Sequence, residues 1–209
     1  MGGTTMTRTL TGLFDSYEDA EGTVRDLEAE GISHDQISIV ANRSVAGDRA
    51  KVKEGNQAGP GAETGAALGA VVGGAGGLLA GLGMLAIPGV GPVVAAGWLV
   101  ATAVGAAGGA AVGGAGGGLV GAMIGNGVPE QDAHVYAEGV RRGGTLVTVR
   151  VEEALVPTAE AILQKHREVD PRSRAQAYRA SGWSRFDENA PAYTEEQLEE
   201  ERRRNSTII

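Results

Sequence analysis

The sequence predicts an α+β fold: a ferredoxin-like split βαβ sandwich interrupted by a long Gly/Ala-rich helical hairpin. Three observations predict it. All 18 Lys+Arg and all 26 Asp+Glu lie outside residues 64–129, so charge divides the chain into two polar flanks and one neutral insert. Each flank switches between a two-residue and a helical apolar period. Inside the insert, small residues recur every fourth position.

The first flank, 8–41, reads as strand–helix–strand. Arg8–Phe14 is a strand, with Leu10 and Phe14 as its apolar positions around Gly12. Ser16 offers an N-cap and Asp19 stands three residues on. Tyr17, Ala20, Val24 and Leu27 follow at helical spacing, and Gly31 stops the helix. Gln36–Ala41 is the second strand, with Ile37 and Ile39 on one face. Residues 42–63 read as a linker, because Gly47, Gly55, Gly59, Pro60 and Gly61 break any steady period.

The second flank, 129–174, repeats the pattern. Pro129 suits a first helical turn, Ala133, Tyr136 and Val140 mark one face, and Gly143-Gly144 ends the helix. Thr145–Val151 is the clearest strand, Val147, Val149 and Val151 alternating with Thr148 and Arg150. Pro157 opens another helix with Ala159, Ile162 and Leu163 on its apolar face. A short last strand is expected near Val169–Arg174.

The insert, 64–128, holds the candidate functional residues. Gly65, Gly69, Gly73, Gly77 and Gly81 form one ridge; Gly97, Ala101, Gly105, Gly109, Gly113, Gly117, Gly121 and Gly125 form a second. Positions i and i+4 share a helix face, so each ridge lets another backbone approach closely. Between the arms, Pro88, Gly89, Gly91 and Pro92 signal a tight turn. Each interior glycine costs a helix about 0.8–1 kcal/mol relative to alanine. Close packing through small-xxx-small ridges offsets that cost, and a bilayer enforces helix through internal hydrogen bonding. Residues 64–87 would reach about 36 Å as a helix, enough to cross about 30 Å of hydrocarbon. Residues 93–128 would reach about 54 Å, too long for one upright crossing. Arg49, Lys51 and Lys53 precede the insert and Arg141 and Arg142 follow it, which would keep both flanks cytoplasmic. The alternative is a soluble oligomer in which the hairpin is the subunit interface.

The tail, 175–209, is polar and carries a short helix over Glu195–Arg204, opened by the capping-box pair Thr194 and Gln197. Its aromatics Trp183, Phe186 and Tyr193 either pack back onto the sheet domain or form a docking segment for a partner.

Composition excludes several functions. A net charge of −8 opposes general nucleic-acid binding. The absence of cysteine removes disulfides, thiolate metal sites and a Cys nucleophile. His34, His134 and His166 stand at no recurring ligand spacing, so no metal is expected. Gly81–Ala86 fits a loose dinucleotide pattern but follows no predicted strand, so no cofactor is expected either. Residues 1–9 lack a basic start followed by an apolar stretch, so no cleaved signal is expected.

Leu13-Phe14-Asp15-Ser16, Ala20, Val24, Leu27, Gly31-Ile32 and Ile37–Val40 together resemble the opening of the YflT-like, heat-induced general stress proteins of bacteria. Gly144–Val149 is similar to that family's later strand, and a glycine-zipper segment between the two fits as well. The resemblance implies a stress-response protein with no catalytic residues to carry over. The expected function is non-enzymatic self-association through the hairpin, at the cytoplasmic side of the inner membrane or as an integral hairpin. The expected partners are further copies of the chain and the lipid bilayer. The alternative is a cytoplasmic homo-oligomeric scaffold or small-ligand-sensing module.

Overall fold

The computed structural model of the chain describes residues 7–43, 83–87, 89–108 and 118–205. The first flank folds as its periods predict. Strand β1 (Thr7–Phe14) leads into α1 (Tyr17–Ala29), whose N-terminus is capped by Ser16 Oγ accepting from the amides of Glu18 and Asp19. Gly31 then turns the chain in the left-handed region, at φ +85°. A 3₁₀ turn at His34–Gln36 delivers β2 (Ile37–Asn42).

Where it is described, the insert departs from the predicted helical hairpin. A turn at Gly89 and Val90 lies between two strands, β3 (Gly83–Ile87) and β4 (Gly91–Gly97), in place of the two expected helices. The reason is pairing: β4 lies antiparallel to β2, Ile39 opposite Ala96 and Ala41 opposite Val94, so the run Val93–Ala96 becomes a buried strand. Among the described residues of the insert, helices follow it: α2 (Trp98–Gly108) and α3 (Gly118–Ile124).

The second flank supplies α4 (Glu130–Arg141), β5 (Thr145–Glu152) and, after a 3₁₀ turn, α5 (Val156–Lys165). The strand expected at 169–174 does not form. Asp170 caps a helix by accepting from the amides of Arg172 and Ser173, and Pro171 takes its first position, opening α6 (Pro171–Ala180). Only one rung of the expected ladder remains, Val169 N–H donating to Leu13 O at 2.7 Å.

The sheet order is β1-β5-β2-β4-β3, with every neighbouring pair antiparallel. β1 and β2 therefore run parallel with β5 between them, a split β-α-β core. Among the described residues no fourth ferredoxin-like strand lies beside β1, and the β3–β4 hairpin extends the opposite edge. Helices α1 and α5 cover one face, where Val24, Leu27, Ile162 and Leu163 meet Ile37, Ile39, Val147 and Val149. Helices α2, α3 and α4 cover the other. That second core includes Val93, Leu99, Val100, Leu119, Val120 and Met123 from the neutral insert. Among the described residues, no helix is long and apolar enough to cross a membrane.

Candidate functional site

The two helices of the second ridge, α2 and α3, pack against each other and together roof the second core. Of the ridge itself, Gly97 ends β4, Ala101 lies exposed on α2, Gly105 lies in α2, Gly121 lies in α3, and Gly125 sits in the turn after it. Gly65, Gly69, Gly73, Gly77, Gly81, Gly109, Gly113 and Gly117, with Pro88 of the turn, lie outside the described residues.

Gly97 serves strand packing, in place of the helix ridge expected of it. Its φ is +97°, and a Cβ there would overlap the Ile37 carbonyl oxygen and lie 2.6 Å from Ser38 Cα. Two hydrogen bonds fix the approach: Ser38 Oγ donates to Ala96 O at 2.8 Å, and Trp98 Nε1 donates to Gln36 O at 3.0 Å. Gly89, at φ +73°, is pressed by the tail, since a Cβ would meet Asp187 O at 2.6 Å.

A single cation from the flank holds the neutral insert onto the sheet. Arg150 of β5 stacks over the Trp98 ring at 3.6 Å and donates to Asn126 Oδ1 at 2.6 Å. It bridges the start of α2 and the end of α3, an arrangement worth roughly 1–2 kcal/mol when partly desolvated.

The tail aromatics are engaged within the chain. Phe186 is buried in the second core, Trp183 meets Tyr178 edge-on at 5.6 Å, and Tyr193 lies under the guanidinium of Arg141 at 4.9 Å. The last helix, α7 (Glu195–Asn205), opens on the predicted box: Thr194 N–H donates to Gln197 Oε1 and Gln197 N–H to Thr194 Oγ1. It docks by Leu198 and by a buried ionic network. Arg142 donates through Nε to Glu138 Oε1 at 2.7 Å and through Nη1 to Glu201 Oε2 at 3.3 Å, with its guanidinium 4.3 Å from the Tyr178 ring. Glu138 is fully buried. The Arg142 guanidinium is held above its ordinary pKa: burial opposes the charge, and the carboxylates of Glu138 and Glu201 outweigh that opposition. The i,i+4 spacing of Glu138 and Arg142 is visible in the sequence; Glu201, 59 residues on, is not.

No group of three or more metal-ligating side chains occurs among the described residues. His166 Nε2 lies 2.8 Å from Asp26 Oδ2, which also accepts from Lys165 at 2.7 Å; the pair ties α5 to α1 and holds the Asp26 carboxyl below its ordinary range. His134 is pushed below its ordinary value by burial and by Arg185. What this arrangement offers is surfaces for packing.

No curated protein and no solved structure matches the chain. One family model does, over residues 9–88, from β1 through the end of β3. The matched span leaves out β5, although that strand lies between β1 and β2 in the sheet. The family is described as the heat induced stress protein YflT domain, and residues 9–88 of the chain are similar to it.

Proposed function

We propose that the chain is a non-enzymatic stress-response protein that works by associating with copies of itself through its glycine ridges, without threading a bilayer. The pairing of α2 with α3 carries this reading. Two Gly/Ala-rich helices, poor in side chain and penalised as isolated helices, approach each other over the sheet. The same chemistry repeats in the ridge Gly65–Gly81, which has the spacing to receive a further helix. The burial of Val93, Leu99, Leu119 and Met123 in the second core supports a hairpin region that serves the sheet.

The experiment is molar mass by light scattering on the full chain, purified without detergent, beside the double variant Gly73→Leu, Gly109→Leu. The wild type is expected as an oligomer and the variant at single-chain mass. Equal masses for both would overturn the reading. Recovery of the protein in a membrane fraction resistant to alkaline carbonate would overturn its second half.

A further inference from the structure

β1 is an outermost strand, and no described strand pairs with its far side. Backbone groups alternate along an antiparallel edge. Leu13 O accepts from Val169 N–H and Thr11 O accepts from the Tyr136 hydroxyl at 3.2 Å, so Thr7, Thr9, Thr11 and Leu13 face outward. The outward amides of Thr9 and Thr11 have no partner among the described residues.

Beside this edge runs a groove of about 550 Å³, with Leu10 and Leu163 among its apolar lining and Tyr136 of α4 on its other side. It occupies the place the missing fourth strand would take. Val169 closes it at the Leu13 end, leaving about five residues of β1, roughly 16 Å, open. Its charged lining is Glu160, Glu168 and Asp170, and no Lys or Arg is among the residues that line it. Burial, together with Glu160 and Asp170, raises the Glu168 carboxyl above its ordinary pKa, so positive charge brought here relieves a standing repulsion.

We propose that the outer edge of β1 accepts an extended, cationic peptide segment of a partner protein as an added strand. Main-chain hydrogen bonds to Thr9 and Thr11 would give affinity. Alternate basic side chains would meet Glu160 and Glu168, and the intervening apolar ones would meet the lining of the groove. This surface is separate from the glycine ridges, so it stands whether or not the chain self-associates.

The test uses the full chain and a fluorescein-labelled seven-residue peptide of alternating Lys and Val. Anisotropy should show saturable binding, and amide exchange at Thr9 and Thr11 should slow in the complex. Glu160→Lys combined with Glu168→Gln should weaken binding about tenfold or more. Thr9→Pro should weaken it similarly, because proline removes one outward donor and leaves the pairing with β5 intact; thermal melts confirm that both variants fold. No binding by the wild type overturns the proposal. So does binding that spermine displaces fully with no change in Thr9 exchange, which is charge attraction alone. Binding that emerges only after Lys51 and Lys53 are replaced by Glu would assign the edge to the chain's own basic stretch and would also overturn it.

Discussion

The two faces of the sheet are built from different stretches of the chain. On the first, α1 and α5 bring Val24, Leu27, Ile162 and Leu163 onto a row of Ile and Val from β2 and β5. On the second, Leu99, Val100, Leu119, Val120 and Met123 of the neutral insert pack with Leu13, Val40, Val140 and Leu146 of the flanks. Burial yields about 25 cal/mol per Å² of apolar surface, so a residue without side chain contributes little by area. Beyond that apolar burial, the second face has close backbone approach at Gly97 and a few anchors: Arg150 on Trp98, Phe186 of the tail, and Arg142 between Glu138 and Glu201. Close approach makes a site such as Gly97 sensitive to added atoms, where an open one such as Gly31 is not.

The largest expected effect tests that contrast at one glycine on each side. Gly97→Val should cost about 4 kcal/mol, since it adds a left-handed penalty to a collision with β2. Gly31→Ala shares the sign of φ but has nothing within 4 Å of its Cβ position, and should cost only about 1 kcal/mol. Urea denaturation of both variants measures the difference; equal losses would mean that β4 does not approach β2 as described.

Next comes the anchor under the tail. Arg142→Met should cost about 3 kcal/mol, because it leaves the buried carboxylate of Glu138 without its nearest guanidinium. It should also free α7, read as faster protease cleavage near Leu198. A variant with wild-type stability and wild-type cleavage would show that the network does not hold the tail.

The smallest effect is a pH dependence confined to the second layer. The pKa of His134 is lowered in the folded chain from an ordinary 6.5, by burial first and Arg185 second. The folded state thus binds fewer protons at this ring than the unfolded state. The stability linked to it is complete above about pH 6.5 and falls as pH drops from there through the folded value. His134→Gln should flatten that part of the stability profile, measured by denaturation at stepped pH.

Much of this fold was legible in the residues. Ser16, Gly31, Pro129 and Gly143-Gly144 bounded helices α1 and α4 correctly, because caps and stops act over a few neighbouring positions. Two elements were misread for different reasons. Val169–Arg174 was taken for a strand although Asp170-Pro171 is a cap followed by a first-turn proline, a helix signal already in the sequence. Residues 83–87 and 93–97 read as helix because they adjoin the fourth-residue small-residue spacing, and a short apolar run alone does not tell a buried strand from a helix. The chain turns at Gly89 and Val90, but the element after the turn depends on β2, more than 40 residues earlier in the chain. The anchors were hidden for the same reason. Arg150 read as the polar side of a strand, and nothing local pairs it with Trp98 and Asn126.

The central claim is that the neutral insert folds onto the sheet as strand and packed helix. The most direct measurement is cross-strand proton contacts by NMR on the full chain in detergent-free water. The account predicts contacts linking Ile39 to Ala96 and Ala41 to Val94 across β2 and β4. An uninterrupted helical pattern through residues 83–97, or contacts that arise only in detergent, would contradict it.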